Sequence, residues 1–344
     1  MEAVGEIKGY PRKDGRVGLR NNVICVATVL CANAAVEGII REVPELTPVI
    51  HSDGCETVRV RTLYFTKTLE NICRHPNNYA VMLVGLGCER DNVHEIAARL
   101  VEEGYRVWAR MIQEDGGCTK IIAEGIEQAK IFLAEAAKES RVSVGFNKMI
   151  VGIETADHIY NEDPDAGCAG DADSLRQAYR AASDIAQWLV SLGASVILPS
   201  VLNKQGSFTD GRIIKTIKYA DPVDPGAGYF VIDQDGDRWK GPEEGVFNMD
   251  VPESLLSMCA SGAQMLMLLS GVGSPLGFPI SPLVKYSVGE GPLAESDVRG
   301  AYSPATVDSL KETIVKVATG EKTYEETHNE YGDLVCTYRR TNIY

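Results

Sequence analysis

Short apolar runs, each ended by glycine or a polar turn and followed by a stretch of helical periodicity, recur along the first half of the chain. Val23–Leu30, Thr47–Ile50, Ala80–Gly85 and Arg106–Ile112 read as strands. Ala32–Ile40, Val58–Cys73, Val93–Glu102 and Thr119–Lys138 read as the helices that follow them. Strand and helix in alternation imply a parallel sheet with helices against its faces. The second half predicts further strands at Lys148–Ile153, Ala194–Leu198, Tyr229–Asp233 and Gln264–Leu269. Its helices are predicted from Ser174 to Leu192, from Pro252 to Ser261 and over Thr306–Thr319. Asp221–Gly228 reads as a turn region, and Ser270–Gly277 as a glycine-rich loop at a strand end. The expected fold class is α/β, with parallel sheets flanked by helices in two α/β domains. The seam near Ser140–Asn147 divides them into residues 1–145 and 146–344.

Charge narrows the function classes. Forty-eight acidic residues against 34 basic ones give 344 residues a net charge of −14, which disfavours nucleic acid because a phosphate-binding face needs clustered Lys and Arg. An anionic substrate then requires a local pocket of arginine, lysine or metal. The longest apolar runs, such as Ala263–Leu269, are far short of a bilayer span, so no membrane segment is expected. Nine cysteines without a charged start and an apolar signal core point to a reducing cytoplasm, and the odd count fits free thiols or ligands better than a disulfide framework.

Three of those cysteines, Cys31, Cys55 and Cys88, each follow a strand-like run. In a parallel α/β sheet such strand ends lie along one edge, so the three thiols are expected to converge on a soft metal, whereas Cys25 and Cys73 read as small buried hydrophobes. His51 precedes Cys55 in His51-Ser-Asp-Gly-Cys55, and Glu89 follows Cys88; either can ligate metal or move a proton. Cys118, after Gly116-Gly117 at a helix start, is a further thiol near backbone amides. Gln113 and Glu114 end another strand with side-chain oxygens and are second-rank candidates. Gly15-Arg16-Val17-Gly18-Leu19-Arg20-Asn21 leads into the first strand; its arginines suit bidentate capture of a carboxylate, and equally suit a solvated turn. Gly271-Val-Gly273 lacks a dinucleotide fingerprint, no Walker-type loop or HExxH occurs, and Asp233–Asp237 lacks the later positions of a calcium loop.

Taken together, GYPRKDGRVGLRN at 9–21, TVLCAN at 28–33, HSDGC at 51–55, RHPN at 74–77, VGLGCERDNV at 84–93, IQEDGG at 112–117 and GVGSPLG at 271–277 with Lys285 resemble the altronate/galactarate dehydratase family. The resemblance implies an iron-dependent hydro-lyase that turns a sugar acid, or a shorter 2,3-dihydroxy acid, into a 2-keto-3-deoxy acid. Iron, mononuclear or in a cluster, would be held by Cys31, Cys55 and Cys88. His51 is the first candidate base and Lys285 the second, with Glu89 beside them; Arg16, Arg20, Asn21, Gln113 and Glu114 would contact substrate. Members often work with a small β-rich SAF domain, fused or as a separate subunit, so a small-subunit partner or a homo-oligomer is expected.

Departures from the family pattern fall on presumed substrate contacts. Glu154-Thr155-Ala156-Asp157 stands where a Cys-Gly-Gly-Ser-Asp run is usual, and Val272 replaces the arginine of a Gly-Arg-Gly loop. The alternatives these leave open are a carbon–sulfur lyase on a sulfonated hydroxy acid and a non-catalytic paralogue or partner subunit.

Overall fold

The computed structural model describes residues 6–51, 54, 62–89, 91–155, 172–199, 214–226, 228–232, 251–271, 273–274, 276–289 and 296–328. They fall into two compact units, one spanning Tyr10–Arg141 and the other the described parts of Val142–Gly332 together with the segment before Tyr10.

In the first unit Tyr10 and Pro11, the last two residues of β1 (Ile7–Pro11), pair antiparallel with β2 (Val17–Gly18). Four parallel strands follow: β3 (Asn22–Ala27), β4 (Thr47–Val49), β5 (Asn78–Gly85) and β6 (Val107–Met111). Their order across the sheet is β4-β3-β5-β6. The two central strands are apolar almost without interruption, β5 being buried along its whole length, because helices cover both faces of a parallel sheet. Those helices are α1 (Asn33–Glu42), α2 (Thr62–Cys73), α3 (Val93–Glu102) and α4 (Cys118–Ala136). Asn92 caps α3, its side chain accepting from the amides of His94 at 2.8 Å and Glu95 at 3.3 Å. α1 and α4 meet through reciprocal notches. Gly38 of α1 lies under Ile122, where a Cβ would come within 2.6 Å of Cδ1, and Gly125 of α4 lies under Ile39.

Among the described residues the second unit is built on a seven-stranded parallel sheet. Its strands are β8 (Ile150–Thr155), β9 (Ser195–Pro199), β10 (Ile214–Ile217), β11 (Gly228–Ile232), β12 (Met265–Ser270), β13 (Leu283–Ser287) and β14 (Val298–Arg299). They are ordered β10-β11-β9-β8-β12-β13-β14. Before it, β7 (Val142–Val144) pairs antiparallel with Ile7, Lys8 and Gly9 of β1. The helices of this unit are α5 (Ala172–Ser191), α6 (Val251–Ala260), α7 (Pro304–Thr319) and the short α8 (Tyr324–His328). Ser303 caps α7 with Pro304 in its first turn, and Gly320 ends it at φ 119°, a left-handed conformation that suits glycine. The architecture is thus α/β with parallel sheets flanked by helices, as the alternating pattern implies. The described helices include none long and apolar enough to cross a membrane.

Candidate active site

The order β4-β3-β5-β6 has one reversal. From β3 the chain first adds β4 on one side and then returns to add β5 on the other, so the crossovers leave a crevice beyond the carboxyl ends of β3 and β5. Ligands bind in such crevices because the helices diverge there and leave backbone amides facing outward. The turns that flank this one are Thr28–Ala32 and Leu86–Glu89. They carry Cys31, in a single helical turn Leu30–Ala32, and Cys88.

The four strand-end turns are knit across the edge. Thr28 donates its amide to the Val84 carbonyl at 2.9 Å, and its hydroxyl reaches Glu89 Oε1 at 3.1 Å. Gly54, at φ 91°, packs against the Thr28–Val29 backbone, where a Cβ would stand 2.5 Å from the Thr28 carbonyl oxygen and 2.9 Å from Val29 Cα. Gly87, at φ 126°, lies against Gln113, whose Oε1 would be 2.7 Å from a Cβ there. Gln113 in turn donates its amide to the Leu86 carbonyl at 3.0 Å. Glycine is needed at 54 and 87 for two reasons, the positive φ and the close approach of a neighbouring turn. Asp115 closes the β6 turn by accepting from the Met111 amide at 2.6 Å.

His51 follows β4 and is 4% exposed. Its Nε2 is 2.7 Å from the Ala27 carbonyl, which can only accept, so Nε2 carries the proton and the basic lone pair is on Nδ1. Phe65 meets the ring edge-on at 4.8 Å, and Asn33 donates to the His51 carbonyl at 2.8 Å. The imidazole is therefore fixed from β3 and α2, and the His51 backbone from α1. Glu89 accepts three hydrogen bonds, from the Leu86 amide at 2.9 Å, the Gly87 amide at 2.6 Å and the Thr28 hydroxyl. Gln113 and Glu114 are exposed at the end of β6.

The cysteines divide by environment. Cys25, Cys73 and Cys259 are buried, and burial pushes each thiol up to about 12. Cys31 and Cys88 are exposed, free and on neighbouring turns, while Cys118 is half-buried at the start of α4 after Gly117. Two exposed thiols at one crevice are a donor set that suits a soft metal. Cys55, the third expected ligand, lies outside the described residues, as does Val272. Among the described residues no three His, Cys, Asp or Glu are grouped to hold a metal ion. Alkylation of the native protein is expected to label Cys31 and Cys88 while sparing Cys25, Cys73 and Cys259 until the chain is unfolded, and peptide mapping by mass spectrometry reads this directly.

Arg16, Arg20 and Asn21 stand at the opposite edge of the same sheet, just before β3 begins. The Arg16 guanidinium is held by Asp14 at 2.7 Å, the Arg74 carbonyl at 2.7 Å and the Tyr105 hydroxyl at 2.8 Å. Arg20 Nη1 donates to the Leu19 carbonyl at 3.0 Å. Asn21 bridges Arg12, from which it accepts at 2.9 Å, and the Ala136 carbonyl, to which it donates at 2.9 Å. Arg12 also donates to the Pro76 and Arg20 carbonyls, and burial lowers its pKa to about 10.

Lys285 belongs to the second unit. It sits in the middle of β13, 1% exposed, with Nζ 3.0 Å from Glu325 Oε1 of α8 and donating to the Ser274 carbonyl at 3.1 Å. Asp297 accepts from the Lys285 amide at 2.8 Å and from the Tyr324 amide at 2.7 Å. Ser274 follows β12, and this sheet reverses its order between β8 and β12, so Lys285 ties the turn beside a second crevice. Glu154 ends β8 there, fully buried, and accepts from the Thr155 amide at 2.8 Å. Thr28, Asn33, Gly54, Asp115 and Glu325 escape a sequence reading of function; Thr28 lies inside the run Val23–Leu30 that reads as one strand, whereas β3 ends at Ala27 and leaves Thr28 in the turn.

Residues 9–137 match the family described as D-galactarate dehydratase/altronate hydrolase, second domain. The altronate dehydratase of Bacillus subtilis (strain 168) is 25% identical over 215 residues, which cover 59% of this chain and 40% of that protein. The altronate dehydratase of Escherichia coli (strain K12) is 33% identical over 102 residues, 26% of this chain and 20% of that one. The chain thus aligns with less than half the length of each of these relatives.

Proposed function

We propose, from the match of residues 9–137 to the altronate/galactarate dehydratase family, that this chain is a hydro-lyase acting on a hydroxy acid. The observation that carries the reading is that the matched segment is the unit whose strand-end crevice bears Cys31, His51 and Cys88. The reaction removes the proton at C2 and the hydroxyl at C3 of a 2,3-dihydroxy acid as water, and the enol that remains becomes the 2-keto-3-deoxy acid by tautomerisation. Cys31, Cys55 and Cys88 would hold iron, as a single ion or in a cluster, and it would supply Lewis-acid stabilisation of the negative charge that develops at the carboxylate and at the departing oxygen.

In this reading the protein's own groups divide the remaining work. His51 takes the C2 proton at Nδ1, because its Nε2–H is committed to the Ala27 carbonyl and fixes the tautomer. Gln113 and Glu114, exposed at the end of β6, are the proposed contacts for substrate hydroxyls. Arg16 ties the segment before β3 to Arg74 and Tyr105, Asn21 ties it to the end of α4, and Lys285 holds the turn at Ser274. Cytoplasmic location, a homo-oligomer and a small SAF-type partner accompany the proposal.

Substrate choice follows from Val272, which offers no charge to a second carboxylate. A missing Arg–carboxylate contact costs on the order of 2–5 kcal/mol, a factor of tens to thousands in affinity. Monocarboxylic or shorter hydroxy acids are therefore expected to turn over better than the dicarboxylate galactarate. The test is anaerobic purification with iron and sulfide analysis, followed by a screen of hydroxy acids for 2-keto product. Product from at least one acid with the iron-loaded protein supports the reading; none from any acid overturns it.

A further inference from the structure

Glu89 carries a carboxylate at the crevice, yet its bonding is that of a clamp. Both oxygens are used: Oε2 takes the Gly87 amide at 2.6 Å, and Oε1 takes the Leu86 amide at 2.9 Å and the Thr28 hydroxyl at 3.1 Å. The first two bonds close the turn after β5 on itself. The third crosses the crevice to the turn after β3, where the Thr28 hydroxyl stands 3.1 Å from Glu89 Oε1 and 3.3 Å from the Val84 carbonyl, beside the backbone bond from the Thr28 amide to that same carbonyl. The surroundings are shaped around this carboxylate. A Cβ at Gly85 would overlap Glu89 Oε1 and stand 2.9 Å from Val93 Cβ, so glycine there leaves the space the clamp occupies. Cys88 lies within the closed turn, and Cys31 follows Thr28 by three residues; both thiols are exposed and unbridged.

We propose that Glu89 is a positioning residue whose carboxylate, by joining the Leu86–Gly87 amides to the Thr28 hydroxyl, sets the spacing of the two turns that present Cys31 and Cys88 to one soft metal ion. The proposal rests on the reading of those thiols as ligands. A charged acceptor is needed because it serves two amides and a hydroxyl at once, and charge-assisted bonds of this kind are about twice as strong as neutral ones. Glutamine keeps the size but can face the two amides with only one oxygen; its amino group confronts the other N–H. Groups that orient metal ligands in this way change metal affinity by roughly 10–100-fold when removed.

The test uses the full chain, made metal-free and anaerobic, titrated with Co²⁺ and followed by its thiolate-to-metal charge-transfer absorption. Wild type should bind with that absorption, and C31S and C88S should each diminish it. Glu89→Gln should weaken Co²⁺ binding at least tenfold with unchanged circular dichroism. Thr28→Val should weaken it as well, and Thr28→Ser, which keeps the hydroxyl, should restore it. Thr28→Val decides the matter if the Glu89 variant does not fold. Binding by Glu89→Gln and Thr28→Val within twofold of wild type, with the same spectrum, overturns the positioning role while the thiol ligands stand. Absence of charge transfer in the wild type itself overturns the ligand reading, and the clamp's purpose with it.

Discussion

Glu325→Leu, with Lys285 left in place, is expected to destabilise the second unit by about 3–5 kcal/mol, because it removes the carboxylate that Nζ touches and leaves the buried ammonium, among the described residues, to the Ser274 carbonyl, the face of Tyr324 and the more distant charge of Asp297. Lys285→Met should cost less, about 1–3 kcal/mol, since at neutral pH the carboxyl left behind needs a smaller displacement from its ordinary pKa to become neutral than a stranded ammonium does. Burial already pushes Glu325 up to about 8, against the pull of Lys285 in the other direction. The double variant Lys285→Met/Glu325→Leu should recover most of the loss, as replacement of buried ion pairs by apolar side chains of similar volume often does. Chemical denaturation of the four proteins gives the comparison, and a double variant no better than Glu325→Leu would show that the pair is not the source of the cost.

The same pair predicts a pH dependence. The folded pKa of Glu325 lies above its unfolded value, so the folded chain holds more protons between the two and stability falls as pH rises through that interval, from about 4.5 toward about 8. In Lys285→Met the lowering influence of the ammonium is gone, so the decline should extend to higher pH. In the double variant this component should vanish. Denaturation midpoints measured from pH 5 to pH 9 read all three.

His51→Gln should lower kcat by about 10²–10⁴-fold, the usual contribution of a positioned general base. Glutamine offers an N–H toward the Ala27 carbonyl in place of Nε2, so the β3–β4 contact has a substitute while the basic Nδ1 has none. Stability should then change by no more than about 1–1.5 kcal/mol, the worth of one altered hydrogen bond. Parallel measurement of turnover and thermal midpoint separates the roles: a full loss of fold would make His51 structural, and an unchanged kcat would remove it as the base.

Much of the architecture can be read directly from residue patterns. β3, β5, β8 and β12 are central strands, buried on both faces, and their apolar runs announce them. Cys25 and Cys73 sit within apolar stretches and are buried, and Cys31 and Cys88 follow such stretches and are exposed. β13 is hidden because its centre is a lysine; a charge in mid-strand argues for a surface until its counter-charge is known, and that partner, Glu325, arrives only with α8. β2 and β14 are two-residue edge strands, and β1, paired by both β2 and β7, has only five residues, so all three carry too little periodicity to register.

At the crevice the division has a physical basis. The residue types at the strand ends, thiols, an imidazole and carboxylates after apolar runs, follow from local pattern, because burial of a strand and exposure of its following turn are properties of a few consecutive residues. Which strand ends become neighbours is a property of the crossovers, and the same local pattern is compatible with other strand orders. Only the tertiary structure decided that β5 returns beside β3 and brings the Thr28 and Glu89 turns together, and that Arg16 and Arg20 lie at the far edge of the sheet from Cys31 and Cys88. It also decided that Glu89 is spent on two amides and a hydroxyl and that Lys285 is locked to Glu325. Hydrogen-bond partners distant in sequence are chosen by packing, and no local pattern encodes them.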